Sequence, residues 1–198
     1  MYLHEVQPAY DQVVLDREKL RQILVGMSSS NQSSNPDPDS PNFAFTKMYT
    51  QYQSAYGLLL GLALVLNSIL RAFDPFNVTL GEEAAQFSAE TIALAEEVAK
   101  YRPLGSSYMP TCLTAAWVAM EGTSQQVQIE ALLKDWQADF AETDWISIAR
   151  WLKRTFERRA LRSLSPMMIE AAPESMEVAL LEEADEAAMG TVSACCVM

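Results

Sequence analysis

Asp135 and Asp139 stand four residues apart, close enough on one helix face to share a hard cation such as Mg²⁺ through carboxylate oxygens. No denser aspartate cluster accompanies them, so the expected role of the pair is a solvated helix face. His4 is the single histidine, which leaves neither a His-based catalytic triad nor a two-His metal helix. Three cysteines, Cys112, Cys195 and Cys196, supply neither a disulfide framework nor, with His4, a four-ligand zinc site. There is no glycine-rich phosphate loop. The reading is a protein that is not an enzyme and takes no metal or cofactor.

Charge narrows the partners. The 198-residue chain has a formal net charge of -12, which disfavours sequence-independent binding to nucleic-acid phosphates. The one concentration of positive charge is Arg150, Lys153, Arg154, Arg158, Arg159 and Arg162, six of the fourteen basic residues. Arg150, Arg154, Arg158 and Arg162 recur every fourth residue and fall on one helix face. Such a strip could dock an acidic partner or DNA phosphate. The expectation here is a face that is solvated or paired with the acidic tail, and no direct, specific DNA binding. Trp151 and Phe156 are expected on another face of that helix, entering the core.

The elements that position these residues are all helical. Apolar residues recur at helical spacing from Gln7 to Met27, in a long run from Phe43 to Phe73, from Thr79 to Tyr101, around Thr111–Met120, after Thr123 and from Thr143 or Asp144 to Leu164. Thr79-Leu-Gly-Glu82 and Thr123-Ser-Gln-Gln126 match the capping box, and Ser106 or Ser107 is placed to cap the helix that carries Pro110 in its first turn. Ser165-Pro166 is the expected last stop. Cys112 to Met120 leaves almost no polar face, and that helix must lie inside. Tyr56–Leu70 is apolar enough to suggest a membrane span, but Asn67, Ser68 and Arg71 interrupt it, so a core helix is expected. Gly57-Leu-Leu-Leu-Gly61 would then admit a neighbouring helix closely. Ser28–Asn42, rich in Ser, Asn, Asp and Pro, reads as a flexible loop. The fold class is all-α: an irregular helical bundle over residues 1–165 with a loop at about 28–42, and a partly disordered acidic tail over 166–198.

Three stretches together resemble a known family. Tyr101-Arg-Pro-Leu-Gly-Ser-Ser-Tyr-Met-Pro110 with Cys112-Leu-Thr-Ala-Ala-Trp117 is similar to the C-terminal regulatory region of fungal binuclear zinc-cluster transcription factors. Tyr52-Gln-Ser-Ala-Tyr-Gly57 and the run to Leu70 and Asp74 resemble the preceding helix of that region. Asp135-Trp-Gln-Ala-Asp-Phe140, Trp145 and Ala149-Arg-Trp-Leu152 resemble the following ones. The resemblance implies an all-helical regulatory region, a nuclear location and action in transcription, with control of secondary metabolism as one setting. The family's six-cysteine zinc cluster and basic linker are missing from this sequence. The expected protein is therefore a truncated relative, a fragment or a stand-alone regulatory region. It would work through protein partners, among them a full-length factor of the family. The alternative is a small helical enzyme or ligand-binding protein of fungal metabolism, with a pocket between the Leu58–Leu70 and Ala115–Met120 helices and a cytoplasmic location.

From Met167 onward the chain has seven acids and no Lys or Arg, interleaved with Met, Leu, Ile and Val. Acidic-hydrophobic alternation is the composition of activation segments, in which Leu180 and Leu181 would be the apolar anchors. Cys195-Cys-Val-Met198 matches a prenylation box with the lipid on Cys195. A single lipid chain without a polybasic neighbour holds a protein only marginally, so membrane association is expected only if Cys195 is prenylated. Residues 167–198 fused to an unrelated DNA-binding domain should raise reporter transcription, and replacing Leu180 and Leu181 with Ala should abolish the effect. A silent fusion would remove the activation reading.

Overall fold

The computed structural model describes residues 3–30, 41–140 and 142–168. Six α-helices carry these residues: α1 (Leu3–Ser30), α2 (Pro41–Phe73), α3 (Val78–Val98), α4 (Met109–Ala119), α5 (Ser124–Gln137) and α6 (Trp145–Met168). Two short 3₁₀ turns, Ala99–Tyr101 and Leu104–Ser106, join α3 to α4. No strand occurs among the described residues, and the fold is all-α. Among the described residues one compact unit ends at Glu157, so the division between units falls within α6. That helix runs through Ser165-Pro166 to Met168, past the stop expected there. Part of the expected Ser28–Asn42 loop is also helix, since α1 reaches Ser30 and α2 begins at Pro41. Residues 31–40 and the acidic tail from Ile169 lie outside the described residues.

Helix starts follow local hydrogen-bonding chemistry. Asn77 caps α3, its Oδ1 accepting from the Leu80 N–H at 3.2 Å. Thr79, placed by its sequence pattern at the cap, lies inside the helix because Asn77 takes that role two residues earlier. Thr123 caps α5 as its pattern requires, and Gln126 reaches back to the Gly122 N–H at 2.9 Å. Asp144 begins α6, accepting from the Ser147 N–H at 3.0 Å. At α4 the serines do not cap: Tyr108 holds the N-cap position without a side-chain bond, Pro110 sits in the first turn, and Ser106 is buried.

α4 is the centre. Ten of its eleven residues are buried, all but Thr111. α2, α3 and α5 pack around it, and α1 packs on α2. Gly61 faces Cys112 of α4, and Gly57 faces Tyr108 at the entry to α4 and Leu94 of α3. A Cβ on Gly57 would lie 2.5 Å from the Tyr108 ring and 3.1 Å from Leu94. One on Gly61 would lie 3.4 Å from the Cys112 backbone. The Cys112 Sγ–H donates to the Gly57 carbonyl at 3.1 Å, and burial pushes this thiol up to about 12. Cys112 thus sits as a packing residue whose thiol burial keeps protonated. Trp117 is buried as expected, but its indole N–H points toward Glu130 of α5 at 3.5 Å. α2 is long and apolar enough to cross a membrane. Here Tyr56, Leu60, Ala63, Leu64 and Leu70 enter the core, while Leu58 and Leu62, expected to be buried, are exposed. A helix flanked by neighbours on three sides still keeps a fourth.

The two glycines should respond differently to one methyl group. Gly57→Ala should destabilise by about 1–3 kcal/mol through overpacking against the Tyr108 ring. Gly61→Ala meets only ordinary contact and gains helix propensity, so it should change stability by less than about 1 kcal/mol. Urea denaturation of both variants checks this. Equal effects would mean that Gly57 does not pack as tightly against the Tyr108 ring as described.

Candidate functional site

Three clusters of functional side chains form on this frame. The first replaces the cation site considered for Asp135 and Asp139. Arg102, in the turn before α4, donates to the Asp139 carboxylate at 2.6 Å, to the Asp135 carboxylate, and to the Asp135 carbonyl at 2.8 Å. Its guanidinium also stacks over Trp136, 4.5 Å from the ring centroid. Both aspartates are thus ion-paired while remaining on an exposed helix face, the Asp135 side chain 66% exposed. Arg102 and the two aspartates tie the α3–α4 connection to the end of α5. Groups of three or more metal-binding side chains are absent among the described residues.

The second cluster is the outward side of α6. Ala149 is buried, and Trp145, Leu152 and Phe156 are partly buried, at helical spacing along one narrow stripe. Trp151 lies off that stripe. It is 65% exposed, against the expectation that it enters the core. Because Leu152 and Trp151 are adjacent, either could have faced inward on sequence alone, and the stripe selects Leu152. Ile148, Arg150 and Arg154 are exposed beside Trp151; Arg158 and Arg159 are exposed as well. Among the described residues no carboxylate lies at ion-pairing distance from Arg150 or Arg154, although Arg150 is near enough to Glu130 and Asp144 to help lower both carboxyls. Lys153 differs, bonding Glu121 and Glu157 at 2.6 Å each. Both carboxylates hold its ammonium above the ordinary lysine range. Arg162 lies in α6, but its side chain is outside the described residues, as are Leu180, Leu181 and Cys195.

The third cluster has no counterpart in the sequence reading. Glu83, Glu90 and Glu97 of α3 recur every seven residues, so they line one side of the helix. Each accepts a hydrogen bond from a tyrosine: Tyr10 to Glu83 at 2.6 Å, Tyr56 to Glu90 at 2.6 Å, and Tyr49 to Glu97 at 2.9 Å. Arg17 of α1, only 5% exposed, bonds Glu90 at 2.6 Å and lies over the Phe87 ring. Asn67 of α2 donates to the Tyr10 hydroxyl at 3.1 Å and to the Leu80 carbonyl at 2.9 Å. Burial, reinforced by the carboxylate acceptors, pushes the Tyr10 and Tyr56 hydroxyls far above the ordinary 10. The heptad spacing of the glutamates was the available sequence signal. The tyrosines that read it come from two other helices.

Two cavities open beside these clusters. One of about 220 Å³ lies where the C-terminal ends of α2 and α4 meet α6, lined by Arg71, Ala72, Val118, Glu121, Lys153 and Phe156 among others. It opens at the C-terminal end of the α2–α4 contact, away from Gly57 and Gly61. The other, about 390 Å³, lies among α1, α2 and α3 beside Glu90 and Glu97. In comparisons with known proteins, no family model, no curated protein and no solved structure matches the chain.

The seam sets an alkaline limit. Tyr10 and Tyr56 are raised above 10, and Tyr108 and Cys112 are pushed up to about 12 from 10 and 9. A group whose folded value is raised contributes its full stability below the unfolded value and loses it as pH rises toward the folded one. The urea midpoint should therefore fall steadily between about pH 9 and pH 12, and Tyr56→Phe should shallow that fall. A midpoint flat across this window would mean that these hydroxyls are not buried.

Proposed function

We propose that the protein is a non-enzymatic regulatory module of transcription, related to the C-terminal region of fungal zinc-cluster factors and acting through protein contacts on the outward side of α6. The observation that carries this reading is Trp151, 65% exposed with exposed Arg150 and Arg154 beside it. Solvent-facing tryptophan and arginine are the residue types that dominate binding energy at protein interfaces, through a buried ring and charge-assisted hydrogen bonds.

Charge indicates the partner. In a chain of net -12, an isolated basic face fits an acidic segment that carries apolar anchors. Duplex DNA fits less well, because the rest of the protein repels a phosphate backbone. The three stretches that resemble the zinc-cluster factors also support the reading. Gly57 meets Tyr108 and Leu94, and Arg102 ties the Tyr101–Trp117 stretch to Asp135, Trp136 and Asp139. A nuclear location and recruitment by a full-length factor follow from the same reading.

Display selection on a library of acidic peptides should enrich sequences with apolar anchors. Trp151→Ala and Arg154→Glu should each weaken the selected peptides at least about tenfold, because interface anchors of this kind contribute upward of about 1.4 kcal/mol. Neither should shift the melting temperature appreciably, since both residues are exposed. The reading fails if both variants bind as the wild type does. It also fails if the chain gives a nanomolar, sequence-dependent shift of duplex DNA at physiological salt.

A further inference from the structure

The cleft of about 390 Å³ among α1, α2 and α3 is at the lower end of the ~300–1,000 Å³ range of small-molecule sites. Its lining is mixed. Leu24 and Leu94 supply apolar surface, Tyr49 and Tyr56 supply rings, and Glu97, Glu90, Gln53 and Arg21 supply polar groups. Such a lining, an apolar body with a few convergent polar atoms, suits an amphipathic ligand.

The charges of the cleft decide which polar end. Arg21 is bonded by Glu18 at 2.8 and 2.9 Å, and Glu90 by Arg17 at 2.6 Å, so these two charges are balanced. Glu97 is different. Its Oε1 accepts from the Tyr49 hydroxyl at 2.9 Å and from the Gln53 amide at 2.7 Å, both neutral donors. Among the described residues no cation pairs with it, and its Oε2 takes no hydrogen bond. Behind it Gln53 is 1% exposed, with its amide nitrogen committed to Glu97 and its Oε1 left without a donor. That oxygen is enclosed, so the acceptor the cleft presents to a ligand is the Glu97 carboxylate that Gln53 supports. The lining therefore presents one exposed carboxylate held by neutral donors and paired with no cation among the described residues.

We infer that this cleft binds a small organic amine, an apolar body bearing one protonated nitrogen. The ammonium bonds Glu97, and the body packs between Leu24, Tyr49, Tyr56 and Leu94. Tyrosine rings favour a cation beside them as well as the apolar body. Because three helices line the cleft, an occupied site ties α1 and α3 to α2 and stabilises the folded chain by mass action. The inference stands on the cleft alone and is independent of the contacts proposed for α6.

The test uses the full chain and three matched probes: phenethylamine, phenethyl alcohol and phenylacetate. Titration calorimetry should detect phenethylamine, with amide shifts centred on Tyr49, Gln53 and Leu94, and should find the alcohol and the acid far weaker. Glu97→Gln keeps the acceptor for Tyr49 and Gln53, so it should fold normally while weakening the amine by at least about tenfold. Ala93→Trp, an exposed position on the cleft wall, should block the site without touching the core. The inference is overturned if the alcohol binds as tightly as the amine. Unchanged amine binding in either variant, or no amine binding at millimolar concentration, overturns it as well.

Discussion

A helix without a polar face has to be enclosed, and α4 is such a helix. Leaving Leu113, Trp117, Val118 and their neighbours in water would forgo about 1.5–3 kcal/mol for each large side chain. Three helices therefore close around it, and the rest of the bundle follows from how they manage the approach. On one side the approach is permitted by Gly57 and Gly61, which bring α2 within reach of the Cys112 thiol. On the other, Trp117 fills the space toward α5, where Glu130 receives its N–H. The turn entering α4 is held by Arg102, which reaches two carboxylates and an aromatic ring on or next to α5.

α1 lies outside this arrangement and reaches the bundle by a different means. Its inward side includes Tyr10 and Arg17 as well as Val6 and Leu24. Polar groups at an interface between helices must find partners, and the glutamates of α3 provide them. Glu83, Glu90 and Glu97 receive tyrosines from α1 and α2 in turn, so one helix edge registers two others. The seam combines burial with a geometric specification that an all-apolar contact would lack. Its last member, Glu97, opens onto the cleft, where the balance of donors and acceptors ends one cation short.

The outward side of α6 is a third regime. There the chain exposes an indole and guanidinium groups together, and burial on the opposite stripe leaves them available.

Much of this was decided in the sequence itself. Helical periodicity, the Thr123 cap, the apolar Cys112–Met120 run and the glycine pair determined an all-α bundle with α4 inside, because those signals are local and need no knowledge of neighbours. Periodicity also placed the basic residues on α6. Tertiary structure decided everything that depends on what lies opposite. It turned Trp151 outward and Leu152 inward, which a one-residue step cannot choose without the partner surface. It paired Asp135 and Asp139 with an arginine more than thirty positions away in the chain. It assembled the glutamate seam from residues up to 73 positions apart. The physical reason is the same each time: a helix face is a property of local spacing, but whether a charge or a ring on it is buried, paired or left open is settled only by the groups that other helices bring to it.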